Sequence, residues 1–435
     1  MEVSGLSVFI CFALFMGLLF IGLHISIAML LVGLGTGMAM YGMPFLQTVG
    51  SVVWSTQNSD ILSCIPLFIM MGELLLRSRI ADGMYKGMSY WLSGIPGGLL
   101  HTNIGTCALF ACTTGSSYAT AATVGTVSLP TLFSNGYHKG LSLGSLAAGG
   151  TLGILIPPSS ALLIYGSLTN NSISQLFVAG VIPGIILTVM FMLYIFVRSL
   201  FITPKPNVPK VTWGDRIRVL PELFPPFVIF GIIMGSIYFG WATPTESASL
   251  GLVVAIGFAM GKRTLTLDVL RTCFINTAQL TGMILLIVTC AMVLNLALGQ
   301  AGVPQVLTEW VGGMGLSFTA LMLLMVVVYI ILGMFLDVMC VQVATIPIAY
   351  PIVVAAGGDP IWFGIFIVIM SEMAMITPPM GMNLFVIQGV RRDGGPLSDV
   401  LWGTQPFALV MLVMAIVIIF WPEMVTYLPQ KMTGG

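Results

Sequence analysis

The sequence predicts an all-α polytopic membrane protein, built as an inverted structural repeat with two re-entrant helical hairpins and two discontinuous helices. Three observations carry that expectation. First, 57% of the 435 residues are hydrophobic and only 7% are charged, whereas the water-facing surface of a soluble domain needs about 25%. Second, the apolar stretches are long and continuous, unlike the ~10-residue alternating segments of a membrane barrel. Third, Pro157-Pro158 and Pro378-Pro379 lie 221 residues apart, each pair inside an apolar run.

The same composition removes other classes. Net charge is zero and no basic cluster is interleaved with aromatics, so nucleic acid has no footprint. The seven cysteines (Cys11, Cys64, Cys107, Cys112, Cys273, Cys290 and Cys340) mostly lie in apolar runs without a CxxC pair, and His24, His101 and His138 are scattered. Neither a disulfide framework nor a zinc site is indicated.

Taken in order, the chain opens Met1-Glu2 without a basic n-region. The apolar run over 6–23 is followed by no small-residue cleavage site, so it reads as a retained first span. Further runs long enough to span occur near 25–42, 61–76, 141–169, 176–198, 222–240, 244–261, 274–299, 360–388 and 404–427. Two more, 102–135 and 317–356, are interrupted by Thr113-Thr114-Gly115-Ser116-Ser117 and by residues 333–337. Each half is too short to cross a ~30 Å hydrocarbon core comfortably, so each stretch reads as a hairpin that enters and leaves on one face. With both hairpins re-entrant, five basic groups fall on one side: Arg77, Arg79 and Lys86; Lys139; Arg198, Lys205, Lys210, Arg216 and Arg218; Lys262 and Arg263; Arg391 and Arg392. The positive-inside rule makes that side the cytoplasm and puts both termini outside.

The proline- and charge-rich loop near 198–222 divides the chain at its midpoint. Pro130 and Pro351, and Gly136 and Gly357, share the 221-residue offset of the proline pairs, and the order of parts repeats with opposite orientation. The expected organisation is scaffold spans over 1–60, a first repeat unit over 61–198, a cytoplasmic linker over 199–221, scaffold spans over 222–273 and a second unit over 274–435. Inverted repeats with discontinuous helices mark secondary carriers whose sites lie at the repeat interface near mid-membrane.

The chemistry of the breaks agrees. Proline removes helical hydrogen bonds, and the freed carbonyls must line protein, water or an ion. Ser159 and Ser160 follow the first pair; Thr377 precedes the second, and Gly381 and Asn383 follow it. Such carbonyl, hydroxyl and amide oxygens suit a small monovalent cation; the competing reading is a kink whose hydroxyls bond back along the helix. The first tip, Gly115 to Thr123, is small and hydroxyl-rich. It presents either a helix N-terminus for an anionic group or a close helix-packing face.

The acidic residues in or near spans are Asp60, Glu73, Glu246, Asp337 and Glu372. Asp337 is placed for cation attraction or for capping the following half-helix. Glu73 is spaced for an i,i+4 pair with Arg77, and Thr243-Pro244-Thr245-Glu246 reads as a capping box. Asp60 and Glu372 have no assigned role.

Several segments together resemble a known family: IPLFIMMGELLLRSRIADGMY, TGSSYATAATVGTVSLP, GTLGILIPPSSALLIYG, ATPTESASLG and MFLDVMCVQVATIPIAYPIVVAAGGDPIWFG, then ITPPMGMNLFVIQG. The resemblance is to the large membrane (M) subunit of tripartite ATP-independent periplasmic (TRAP) transporters of the dicarboxylate and sialic acid type, and covers almost the whole chain. It implies sodium-coupled uptake of an organic acid across the bacterial or archaeal inner membrane by an elevator movement. It also implies a small four-helix membrane subunit and a periplasmic substrate-binding protein as partners. Carried over by similarity, one sodium ion (Na+) binds where Ser116, Ser117 and Thr120 meet Pro157, Pro158 and Ser159. A second binds where Gly333 and Asp337 meet Thr377, Pro378 and Met380. Substrate lies between the tips, near Ser117, Tyr118, Thr120, Ser160, Gly381 and Asn383.

The alternative is a stand-alone ion-coupled anion carrier or exchanger of similar architecture. An enzyme is not expected: Asp60 and Asp337 lack the GxGD signature of an intramembrane aspartyl hydrolase, because Ala356 precedes Gly357-Gly358-Asp359, and HExxH is absent.

Overall fold

The computed structural model describes residues 5–78, 80–201 and 211–432, with side chains from residue 10 onward. Arg79, Lys205 and Lys210, which entered the orientation argument, and Met1 and Glu2, which entered the reading of the first span, lie outside the described residues. Within them the chain is helical and has no strand. The first part contains α1 (Gly5–Phe20), α2 (Ile25–Tyr41), α3 (Pro44–Gln57), α4 (Cys64–Arg77) and α5 (Ile80–Leu92). Next come the hairpin α6 (Leu99–Thr114) and α7 (Ser117–Ser134), the broken pair α8 (Lys139–Leu155) and α9 (Ser160–Thr169), and α10 (Ile173–Leu200). Short α11 (Trp213–Arg218) leads to α12 (Leu220–Tyr238), α13 (Pro244–Gly261), α14 (Leu267–Gln300) and α15 (Val303–Gly313). A second hairpin, α16 (Phe318–Gly333) and α17 (Val338–Ala355), precedes the broken pair α18 (Pro360–Ala374) and α19 (Met382–Val390). The described chain ends with α20 (Leu397–Phe420) and α21 (Glu423–Met432).

Local sequence explains where these helices start. Side chains of Ser116, Ser159, Ser172, Thr266, Ser317, Asp337 and Asp359 each accept a bond from a first-turn amide. That satisfies a donor that has no intrahelical partner. Thr243 and Glu246 form the expected capping box on α13, with Pro244 in the first turn. Segment 139–169 (α8 with α9), α10, α12, α13, α14, α17 and α20 are long and apolar enough to cross a membrane, so α17 exceeds the short half-span expected of it.

The order of parts repeats: α4 to α10 match α14 to α20 as a helix, a short amphipathic helix, a hairpin, a broken helix and a long helix. The starts of α7 and α17, and of α8 and α18, are 221 residues apart. The turns that follow α7 and α17 use Gly136 (φ 75°) and Gly357 (φ 91°) in the left-handed region, which glycine enters without steric cost. Both proline pairs contain a cis peptide bond.

Two groups of helices emerge from the packing. In one, α14 lies along α2 and α4, and α13 along α4 and α12. Gly33 lets α2 and α14 approach closely, since a Cβ at that position would stand 3.0 Å from the Leu294 backbone. In the other, α8 is the axis, surrounded by α6, α7, α10, α18, α19 and α20. Segment 139–169 is almost wholly buried, whereas most of α13 is not. The first broken helix is therefore a core element, whereas α13 presents most of its surface outward. Short α5 packs on α6 and α12, and short α15 on α14 and α17, so each joins the two groups.

The sequence reading did not identify α3, α5, α15 or α21 as helices. The expected last run, 404–427, is also divided: α20 ends at Phe420, and Pro422 lies in the turn before α21. A proline there cannot continue the i→i−4 ladder.

Candidate functional site: hairpin tips against broken helices

At the first tip, Gly115 leaves α6 with φ 58° and Ser116 turns extended to cap α7. Ser116 Oγ accepts from Ala119 N at 3.4 Å, while Thr120 Oγ1 donates to Ser116 O at 2.8 Å. The first break runs from Ile156 through Pro157 and Pro158 to Ser159, whose Oγ accepts from Leu162 N at 3.3 Å. Tip and break touch: Ser160 Oγ donates to Gly115 O at 3.1 Å, and a Cβ on Gly115 would fall 2.6 Å from Pro158 O. The structure therefore brings the first predicted ion group together, from Ser116 and Thr120 to Pro158 and Ser159. Its Ser116 and Ser159 hydroxyls are engaged as helix caps.

At the second tip, Gly333 closes α16 against Ala374, where a Cβ would come within 2.4 Å of the alanine methyl. Asp337 Oδ1 accepts from Cys340 N at 2.9 Å and caps α17, one of its two expected roles. The second break spans 375–381. Thr377 Oγ1 bonds back to Met373 O at 2.7 Å, and Asn383 N donates to Met375 O at 3.1 Å. Gly381 allows this close turn, because a Cβ there would meet Met375 O at 2.9 Å and Thr377 O at 3.0 Å. Gly333 thus reaches the end of α18, but Met380 is 55% exposed and points away from the core.

The repeats are also tied across their interface. Ser117 Oγ sits 2.7 Å from Glu372 Oε1 and 2.8 Å from Oε2, with both residues unexposed. Asn383 Nδ2 donates to Ala147 O at 3.2 Å on the first broken helix. Its Oδ1 is buried and has no hydrogen-bond partner among the described residues. Glu372 was visible in the sequence as an intramembrane carboxylate; its partner, in the other repeat, carried no local signal.

A cavity of about 170 Å³ lies where the first tip, the first break, α4, α14 and the second tip converge. Thr114, Ser116, Tyr118, Ser159, Ser160 and Asp337 supply its polar side, and Ile65, Phe68, Ile69, Met283 and Ile284 an apolar wall. Of the predicted substrate residues, Tyr118 and Ser160 line it. Ser117 and Thr120 are buried behind the tip; Gly381 ends the second break and Asn383 lies in the first turn of α19, both outside the lining. Glu73 also faces the cavity. It accepts from Arg77 Nε at 3.3 Å, the expected i,i+4 pair, and from Asn276 Nδ2 at 2.9 Å, which joins α4 to α14.

Residues 12–424 match the family described as "Tripartite ATP-independent periplasmic transporter, DctM component". The chain belongs to this family. As a DctM-family member it is the large membrane subunit of a TRAP transporter. It is similar to the C4-dicarboxylate TRAP transporter large permease protein DctM of Pseudomonas aeruginosa, with 31% identity covering 88% of this chain and 90% of that one. Similarity also extends to the isethionate TRAP transporter permease protein DctMQ of Oleidesulfovibrio alaskensis, at 30% identity over 87% of this chain and 59% of that protein. Among solved structures, the YdaH transporter of Alcanivorax borkumensis shares the fold, with a TM-score of 0.63 at 12% identity, covering 87% of this chain and 88% of that chain. This DctM-family chain therefore has the all-helical fold of a multi-pass membrane transporter.

Proposed function

We propose that the subunit imports a small organic acid across the bacterial or archaeal inner membrane, driven by sodium, and that α6–α10 with α16–α20 move as an elevator against the remaining helices. The observation that carries this reading is the convergence of both tips and the first break on one cavity. Two relatives support the substrate class, since C4-dicarboxylates and isethionate are both organic anions. Helix N-termini at Ser116 and Ser159 supply amides for a carboxylate, in keeping with the positive end of a helix dipole. Sodium fits a site made of carbonyl, hydroxyl and amide oxygens in a protein interior.

The tripartite family description supports two partners, a small four-helix membrane subunit and a periplasmic substrate-binding protein. The DctMQ relative, which extends well beyond this chain, agrees with a permease made of two membrane parts. The test is reconstitution in liposomes with the small subunit, adding or omitting the binding protein and the sodium gradient. Uptake should require both. Efficient uptake without a binding protein would select the stand-alone carrier, and uptake indifferent to sodium would remove the coupling.

A further inference from the structure

On the basic side of the molecule, a cavity of about 540 Å³ opens between the last turns of α10 and the first turns of α8 and α20. It shares no lining residue with the cavity at the hairpin tips, and its size is that of a small-molecule site. Lys139 and Arg198 supply its cations, Tyr194 and Trp402 its aromatic edge, and Ser398 a hydroxyl. Helices α8 and α20 reach it side by side, because Gly140 and Gly403 let their backbones touch. Their first turns add backbone amides without intrahelical partners.

The positive charge here is not used up within the protein. Asp399 also lines the cavity, but Arg391, whose side chain is 1% exposed, bonds its carboxylate at 2.7 Å. Asp393 is held by Arg391 and, at 2.8 Å, by Lys139 Nζ. Arg391 and Lys139 thus balance Asp393 and Asp399, and the Lys139 ammonium keeps donors beyond the one that Asp393 takes. Arg198 forms no ion pair among the described residues, and its guanidinium presents a planar fork of donors. A phosphate group has the charge and the several acceptor oxygens to engage both cations.

The walls outside the cavity show where such a phosphate comes from. Exposed Ile185, Val189, Leu193 and Val197 form an apolar stripe at four-residue spacing along α10. Tyr194 and Arg198 follow the last two in sequence, so the stripe runs into the cavity mouth. On α20, exposed Trp402 is followed along the helix by exposed Leu409 and Val413. These two helices pack on each other, and each is long and apolar enough to cross a membrane. Tyrosine and tryptophan concentrate at the headgroup level of a bilayer, and basic pockets between spans at that level suit anionic headgroups.

We propose that this cavity binds the phosphodiester headgroup of an anionic glycerophospholipid, with Arg198 and Lys139 on the phosphate and the acyl chains along α10 and α20. An occupied site braces the ends of α8, α10 and α20 against one another.

The test uses the full chain, purified in neutral detergent and freed of lipid, with native mass spectrometry and melting temperature as readouts. Phosphatidylglycerol should bind saturably and raise the melting temperature, since a ligand held by the folded state stabilises it. Phosphatidylcholine, inorganic phosphate and chain-free glycerophosphoglycerol should each bind more weakly and protect less. Arg198→Gln should weaken phosphatidylglycerol binding by about tenfold, the usual scale of one lost charge-assisted hydrogen bond. Its lipid-free melting temperature should match the native chain, because Arg198 forms no ion pair. Arg271→Gln, which removes a cation of α14 outside the cavity, should bind as the native chain does. A photoreactive phosphatidylglycerol on the native chain should label α10 and α20 beside the cavity, a readout that needs no variant to fold. Equal binding of phosphatidylcholine would make the cavity indifferent to lipid charge, and equal protection by inorganic phosphate or the free headgroup would make it a soluble-anion site. Equal weakening by R271Q would make the attraction general, and labelling confined to other helices would place the lipid elsewhere. Each of these four results overturns the inference. Sodium and substrate are absent throughout, so the outcome is separate from that of the transport reading.

Discussion

Asn383 and Asp337 are the residues at which ion binding and structural support separate most cleanly. Asn383 is fully buried, and its Oδ1 has no hydrogen-bond partner among the described residues. An unsatisfied buried acceptor costs about 1–3 kcal/mol, and a bound cation would relieve it. Asn383→Ala should therefore reduce the sodium-induced rise in melting temperature by at least about half, in addition to the lower sodium-free value that loss of its bond to Ala147 O brings. An unaltered sodium increment would assign the side chain to packing. Asp337 presents the complementary case, because its visible bond is the cap on Cys340 N. Asparagine caps helices about as well as aspartate, so Asp337→Asn should leave melting temperature nearly unchanged. Transport should nevertheless fall if the charge at the cavity edge is used. Matched losses of transport and folded protein would make the residue structural.

At the scale of elements, the tightest contact in the core joins α8 to α20. A Cβ on Gly144 would lie 2.0 Å from Gly403 O, and one on Gly403 would lie 2.0 Å from Gly140 O. Membrane helices use small residues in this way to bring backbones together. Gly144→Ala should destabilise by about 1–3 kcal/mol, the usual range for an overpacked core, and lower the midpoint of unfolding in detergent. A charged cluster fixes the adjacent ends. Arg391, whose side chain is 1% exposed, bonds Asp393, Asp399 and Pro396 O, while Lys139 reaches Asp393 at 2.8 Å. Arg391, then Lys139, hold the Asp393 carboxyl well below its ordinary range. Its contribution is therefore complete above the unfolded value near pH 4 and lost as pH falls below it. Asp393→Asn should weaken that acid dependence. Much of this level was legible in the sequence: both hairpins, both breaks and the α13 cap follow from apolar runs punctuated by proline, glycine and hydroxyl residues. The helices α5 and α15 were not, because a short amphipathic segment beside a span has neither its length nor its apolarity. Nor was the Ser117–Glu372 contact, whose partners are 255 residues apart.

For the whole molecule, the proposed movement requires one group of helices to slide past the other, and a second cavity offers a place to stop it. This space of about 500 Å³ is lined by Thr56, Ser59 and Asn295 from the α3, α4 and α14 side, and by Ser167 and Asn170 from the first broken helix. Its walls thus belong to the two groups that the elevator reading separates. All seven native cysteines are free thiols, so they must first be replaced. Cysteines can then be introduced as Ser59→Cys and Ser167→Cys and joined by a short, cleavable bifunctional reagent. A packed core resists continuous deformation, so large changes occur as displacements of whole elements. Cross-linking should consequently abolish sodium-driven uptake, leave the melting temperature equal or higher, and be reversed by cleavage. Each single-cysteine control treated with the same reagent should retain uptake. Full transport through a demonstrably cross-linked subunit would mean that these two groups remain fixed, and that access to the 170 Å³ cavity changes through the hairpin tips alone.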